Sequence, residues 1–336
     1  MIKRKIWHLS DFKQTARFMY IVLDKDFHRK FYSTAIDIAG GQRKLAKELG
    51  FYSSRINNYL YKNRRPSLNS IIKMSDFLVS RGKDEFNMEE IQKHIAKIKV
   101  NGQPISISPK FPVLLNKGLV KIVANILGDG GINKFFDPFY SNGDPILLNN
   151  FKEYMKNVFG CDASREHGSG KRIQVWYPRI VGKMLIEMFG PFSFGKNPKY
   201  TPEIILNVEK ELKAEFLNSF YGDEGSSPYC QVTVYQGLKN VKLLYQVKEI
   251  LNEFNIKTNN VLKIRDKHTM VDPRTQKEYE AKEMFVLSIS RYREIIKFVD
   301  TVGFPYKSVK FIKLLQMLRN NYKKFDYGDL NFIKID

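Results

Sequence analysis

The chain has 336 residues, with 56 Lys and Arg against 35 Asp and Glu, a formal net charge of +21. Its 43% hydrophobic content is enough to build real cores, which excludes a disordered polycation, and no apolar run approaches the ~20 residues that span a bilayer. Only Cys161 and Cys230 are present, which excludes a disulfide framework and a cysteine-rich zinc site and suits a reducing cytoplasm. The basic start lacks the apolar stretch of a secretory signal. A cation excess of this size favours a polyanionic partner, nucleic acid first, because neutralised phosphates release counterions.

In chain order, residues 1–110 carry a net of +12 and residues 111–336 a net of +9. Residues 1–100 are expected to form an all-α unit. Within 41–50, Leu45, Ala46 and Leu49 recur at helical spacing before a glycine stop. Ser53 or Ser54 can cap the next helix, which turns Ile56, Tyr59 and Leu60 inward, and Leu68, Ile71, Ile72 and Phe77 form a third stripe. Helix, tight glycine turn, helix predicts a helix-turn-helix over about 41–78. These residues resemble the helix-turn-helix of the lambda-repressor-like family. The resemblance implies that 53–63 is a recognition helix, with Arg55, Asn57, Asn58 and Lys62 reaching base edges or phosphates and Arg64 and Arg65 on the backbone.

Residues 101–112 hold Gly102, Ser106, Ser108 and three prolines and read as a linker. The rest contains no HExxH, Walker or GxSxG motif, and its histidines show no ligand-like spacing. Instead two segments repeat. The runs 119–131 and 212–226 are each apolar, helix-like and end in acid-glycine, at Asp129 and at Glu224, 95 positions apart. After the first, a hairpin, a helix over 145–159, a hairpin over 161–176 and a helix over 180–189 are predicted. After the second come a strand over 229–236, a helix over 240–254, strands over 260–267 and 280–290, and a helix over 291–299. Both copies read αββαββα, so the spacing means two copies of one subdomain, at 113–205 and 206–320, followed by a polar tail at 321–336.

At this point the chain resembles the LAGLIDADG homing endonuclease family, on the nine-residue segments 122–130 and 217–225. The resemblance implies an α+β fold in which two pseudo-symmetric subdomains pack their motif helices side by side and form a DNA-binding saddle. It further implies a monomer that cuts a long double-stranded DNA site, a phosphodiester hydrolase, with Asp129 and Glu224 binding Mg²⁺ or another divalent metal such as Mn²⁺. The family places basic residues beside the metals; Lys199 and Lys310, near the ends of the two copies, are the matching candidates. Close helix packing needs small residues, which Ala124, Gly128 and Ser219 supply, whereas Asp223 fills the remaining small position. Asn125, polar within the first motif, needs a partner if buried.

The strands offer a substrate surface. Lys263, Arg265 and Lys267 alternate with Leu262 and Ile264; Arg172, Gln174 and Trp176 alternate with Ile173 and Val175; Gln231, Thr233 and Tyr235 alternate with Val232 and Val234. Such faces can enter a major groove and read bases. Two other readings stay open: a transcription regulator that reuses the scaffold without cutting, and a maturase that binds intron RNA. The start at Met1 and the absence of a terminal His-Asn pair favour a free-standing protein over an excised intein.

Overall fold

A computed structural model describes residues 5–61, 64–99, 106–169, 171–228, 231–271, 276–306 and 308–321. The chain is a mixture of helices and antiparallel sheets. The first part contains β1 (Ile6–Trp7), β2 (Tyr20–Leu23), α1 (Lys25–Ala39), α2 (Gln42–Glu48), α3 (Ser53–Tyr61), α4 (Leu68–Val79), α5 (Met88–Lys93), β3 (Ile95–Lys99), β4 (Ser106–Ile107) and β5 (Val113–Leu114). Asp24 caps α1 by accepting the Phe27 N–H at 2.9 Å, and Ser67 caps α4 in the same manner through the Ser70 N–H at 3.3 Å. Between α2 and α3 the chain turns at Gly50, whose φ of +65° favours glycine. Leu45, Ala46, Ile56 and Tyr59 are buried from both helices.

This part is not all-α. β2, β3 and β4 form a three-stranded antiparallel sheet, with Ile21 opposite Ile98 and Ile98 opposite Ile107. The Tyr20–Leu23 run is rich in strand-forming side chains, but its partner is more than seventy residues away, so local periodicity does not disclose it. The linker expected over 101–112 falls partly outside the described residues, and its described portion is packed. Ser106–Ile107 pairs with β3, and Ser108 N–H donates to the carbonyls of Phe159 and Gly160 at 3.2 and 3.3 Å.

The first part also docks on the second. β5 pairs with β1, and Trp7 lies 5.5 Å from the Phe189 ring. Glu187 accepts the backbone N–H groups of Gln14 and Thr15 and the Thr15 hydroxyl, at 2.8, 3.0 and 2.5 Å.

The second part begins with α6 (Lys117–Leu127), β6 (Gly130–Ile132), β7 (Pro138–Asn142), α7 (Pro145–Phe159), β8 (Arg165–Ser169), β9 (Arg172–Trp176) and α8 (Arg179–Phe189). After the short α9 (Glu203–Leu206) come α10 (Lys210–Glu224), β10 (Gly225–Ser226), β11 (Val232–Gly237), α11 (Val241–Glu253), β12 (Leu262–Arg265), β13 (His268–Val271), β14 (Glu278–Ala281), β15 (Met284–Ile289), α12 (Tyr292–Thr301) and α13 (Val309–Asn321). Two four-stranded antiparallel sheets result, ordered β6-β7-β9-β8 and β10-β11-β15-β12, while β13 and β14 form a separate hairpin. The helices α6 and α10 pack against each other. α6 buries every residue from Leu119 to Leu127 except Lys121, as a helix enclosed on nearly all sides must. Among the described residues, no helix is long and apolar enough to cross a membrane.

Candidate active site

The two repeat acids stand at equivalent chain ends but in different local settings. α6 stops at Leu127, so Asp129 lies in the turn that opens β6, whereas Glu224 is the last residue of α10. The glycine that follows each acid is there for lack of space. A Cβ on Gly130 would sit 2.7 Å from the Phe139 carbonyl oxygen, and one on Gly225 2.5 Å from that of Tyr221. Neither glycine has a positive φ, so close approach is what the position requires.

An amide attends each acid. In the first sheet Gly130 pairs with Tyr140, and two residues further on Asn142 donates its Nδ2 to Asp129 Oδ2 at 3.0 Å. In the second sheet Gly225 pairs with Val234, and two residues further on Gln236 hydrogen-bonds Glu224. Sequence reasoning missed both. The available signal is their spacing: Asn142 follows Asp129 by 13 residues and Gln236 follows Glu224 by 12.

Both candidate lysines lie in the same electrostatic neighbourhood. Burial pushes the Asp129 carboxyl above its ordinary range, against the pull of Lys310, Arg172 and Lys199. Burial likewise raises Glu224, with Lys199, Lys310 and the Gln236 amide opposing it and Asp129 adding to it. Burial lowers both lysines, and Asp129, Glu224 and Asp223 hold them up. Each acid therefore feels the other half's lysine, and Glu224 also feels Asp129. Lys199 has a further task. Its Nζ donates to the carbonyls of Leu127, Gly128 and Gly130 at 2.8, 2.8 and 3.1 Å. Those bonds engage all three ammonium protons and satisfy the open carbonyl end of α6. Lys310 Nζ donates to the Asp223 carbonyl.

Asn125 and Asp223, the two departures in the motif helices, answer each other. Both are buried, and Asn125 Nδ2 donates to Asp223 Oδ2 at 2.9 Å. Asp223 lies directly over Gly128, where an added Cβ would meet the Asp223 Cβ at 2.5 Å. The large residue on one helix thus fills the space left by the small residue on the other. Burial and the nearby Asp129 push the Asp223 carboxyl well above the ordinary carboxylate range.

The donor set suits a hard divalent cation. Asp129 and Glu224 offer carboxylate oxygens, and Mg²⁺ is commonly held by one or two carboxylates with waters and substrate phosphate completing its shell. Among the described residues, no cluster of three or more His, Cys, Asp or Glu side chains is arranged to hold a metal by itself. A metal here would depend on oxygens brought by substrate and water.

The candidate nucleic-acid residues fall into several groups. Arg55, Arg64 and Arg65 are exposed and Asn57 and Asn58 half-buried on or beside α3, while Lys62 lies outside the described residues. On the first sheet, paired residues share a face, so Arg172, Gln174 and Trp176 lie together with Phe139, Arg165 and His167. The last two were not singled out from sequence. Arg165 lies over the Trp176 ring at 4.3 Å, and Trp176 Nε1 donates to Gln174 Oε1 at 3.1 Å. The opposite face carries Tyr140, Asn142 and Val175 into the interior.

The second sheet corrects the sequence reading. Gln231 and Tyr235 are half-buried, but Thr233 is only 3% exposed, and its Oγ1 shares a 2.8 Å hydrogen bond with Ser226 Oγ on the adjoining strand. Lys263, Arg265 and Lys267 do not form one basic face. Leu262 stands opposite Val286, which stands opposite Tyr235; Lys263 stands opposite Phe285, on the other face with Gln236. A bulge between Lys263 and Arg265 then resets the alternation. The charge is also locally matched: Lys263 pairs with Asp266 at 2.6 Å and Lys267 with Glu280 at 2.5 Å. The aliphatic pair is open as well, with Leu262 54% and Ile264 50% exposed.

No family model and no curated protein matches the chain. Among solved structures it is similar to full-length DUF199/WhiA from Thermatoga maritima, at 14% identity and a TM-score of 0.38, covering 63% of this chain and 63% of that one. It spans, then, less than two thirds of that protein's length. It is similar also to the homing endonuclease I-DmoI: in complex with DNA and Mn at 16% identity, covering 55% and 96% of the two chains with a TM-score of 0.38, and with DNA and Ca at 16% identity, covering 60% and 98% with a TM-score of 0.37.

Proposed function

We propose that the chain is a metal-dependent endonuclease of double-stranded DNA, of the LAGLIDADG type, whose helices within 41–78 act as a helix-turn-helix that adds DNA contacts. The observation that carries this reading is the convergence of Asp129 and Glu224, 95 positions apart, within the field of both Lys199 and Lys310 at the ends of two packed helices. Helix termination alone does not call for two desolvated acids sharing two desolvated lysines.

In this reading Asp129 and Glu224 hold Mg²⁺ or Mn²⁺. When bound, the metal stabilises charge on the scissile phosphate and makes water a better nucleophile. The chain's own residues do the rest. Asn142 and Gln236 orient the two carboxylates through hydrogen bonds. Lys310 and Lys199 favour the charged form of both acids, and Lys199 also fixes the turn that presents Asp129. Arg165, His167, Arg172 and Gln174 present donors on one sheet face wide enough to meet a groove, and Arg172 also lies close enough to act on Asp129. Arg55, Arg64 and Arg65 add phosphate contacts from the N-terminal helices.

The test is cleavage of a randomised plasmid library in Mg²⁺, with the cut products sequenced. Wild type is expected to enrich one long site, and Asp129→Asn and Glu224→Gln are each expected to abolish double-strand breaks. Cutting that persists in both variants would falsify the assignment. Specific DNA binding with no nick in Mg²⁺ or Mn²⁺ makes the chain a regulator instead, and preference for an intron RNA over DNA makes it a maturase.

A further inference from the structure

Asp223 is a buried carboxylate, 6% exposed, that the chemistry above leaves without a task. It belongs to α10, yet its hydrogen bonds run into the other half. Tyr140 Oη donates to Asp223 Oδ1 at 2.5 Å and Asn125 Nδ2 donates to Oδ2 at 2.9 Å. The direction of the network is fixed from its far end. The Asp144 N–H donates to Asn142 Oδ1 at 2.8 Å, so the Asn142 amide must turn its NH₂ toward the acids. That NH₂ contacts Asp129 Oδ2 and Tyr140 Oη, each at 3.0 Å. The single Tyr140 proton goes to Asp223, which leaves the hydroxyl oxygen to accept from Asn142. An ordered series of donors therefore joins Asp223 to Asp129 through two side chains of β7.

The second half is built otherwise. Gly128 is the residue that faces Asp223 across the helix pair, and Val234, which has no hydroxyl, occupies the place that Tyr140 holds in the first sheet.

We propose that Asp223 is a positioning residue for Asp129, acting across the helix pair through Tyr140 and Asn142, so that the two acids are supported unequally and the two DNA strands are cut at unequal rates. The proposal rests on the nuclease reading. It assigns a use to the one motif residue whose size and charge break the pattern of small residues between the helices.

The chemistry supplies a rescue test. In Asp223→Asn the anionic charge is lost, and the new amide can accept from Tyr140 only by turning its NH₂ toward Asn125, whose amide must then leave its present orientation and offer Oδ1. Adding Asn125→Asp supplies that acceptor without the rotation: Asn at 223 accepts from Tyr140 and donates to Asp at 125, and the net charge returns to that of wild type. Folding of each variant is checked by melting. The full chain is then assayed on its selected site with each strand labelled, and Mn²⁺ binding is followed separately by electron paramagnetic resonance.

D223N is expected to slow one strand about 10–100-fold more than the other and to weaken Mn²⁺ binding, in the range typical of residues that orient metal ligands, while N125D/D223N recovers both. An unchanged strand ratio with unchanged Mn²⁺ affinity in D223N overturns the proposal, as does a folded double variant that recovers neither. If wild type cuts no DNA at all, the nuclease reading fails on that result, and the Mn²⁺ titration alone decides whether Asp223 positions Asp129.

Discussion

The contact between Gly128 and Asp223 yields the sharpest stability prediction. Gly128→Ala adds one methyl group at a point 2.5 Å from Asp223 Cβ, 2.6 Å from its Oδ2 and 3.0 Å from its Cγ. Ordinary carbon contacts lie at about 3.5–4.0 Å, so the two helices must part by roughly 1 Å or Asp223 must swing away. Swinging it away gives up the bonds from Tyr140 and Asn125. Overpacking of this kind costs about 1–3 kcal/mol, and at about 2–4 °C per kcal/mol for a chain of this order the melting temperature should fall by several degrees. The assay is thermal and urea unfolding of G128A, D223G and the double variant. G128A should be markedly less harmful in the D223G background, because the Cβ, Cγ and Oδ2 that the new methyl meets are all gone. Equal destabilisation by G128A in both backgrounds refutes the reasoning.

Three further outcomes are expected. Arg165→Ala should weaken DNA binding about ten-fold in a titration at fixed salt, because the side chain is exposed on the face shared with Arg172, whereas Thr233→Val should leave affinity within two-fold because Thr233 is enclosed. Burial depresses the His28 pKa below its ordinary 6.5, against a hydrogen bond to the Tyr59 backbone that raises it. The unfolded chain therefore takes up that proton first on acidification, so the stability His28 contributes is full above pH 6.5 and is lost as pH falls through the folded value; melting between pH 7.5 and 5 should show a smaller loss in His28→Gln than in wild type. Burial pushes the Cys161 thiol up to about 12, so in a Cys230→Ser variant iodoacetamide at pH 8 should label Cys161 only after denaturant is added; rapid labelling of the folded chain would show the thiol to be reachable.

How much could be read in advance depended on how local the signal was. The helix expected over 145–159 forms as Pro145–Phe159, because Asp144 caps it, proline suits its first turn and Gly160 ends it with φ of +59°, all within the segment itself. The motif helices were visible for a similar reason, since apolar runs closed by acid-glycine need no partner to be noticed. The N-terminal sheet was hidden, because two- to five-residue strands paired over long separations leave little periodicity. The Lys263, Arg265 and Lys267 stripe was misread because one bulged residue changes which side chains share a face. Asp223 was legible only as a misfit. Its fit depends on Gly128 and Asn125 of a helix nearly a hundred residues earlier, a relation that exists only once the two helices touch.

That relation bears on how this chain can be taken apart. Two copies of the first half, docked through the same helix surface, would set Gly128 against Gly128 and leave a void where a carboxymethyl group now sits. Two copies of the second would press Asp223 against Asp223, two desolvated carboxylates with neither the Asn125 amide nor the Tyr140 hydroxyl between them. Neither half is its own complement. If the chain were severed between the two motif helices, the fragments should therefore recognise each other in preference to themselves.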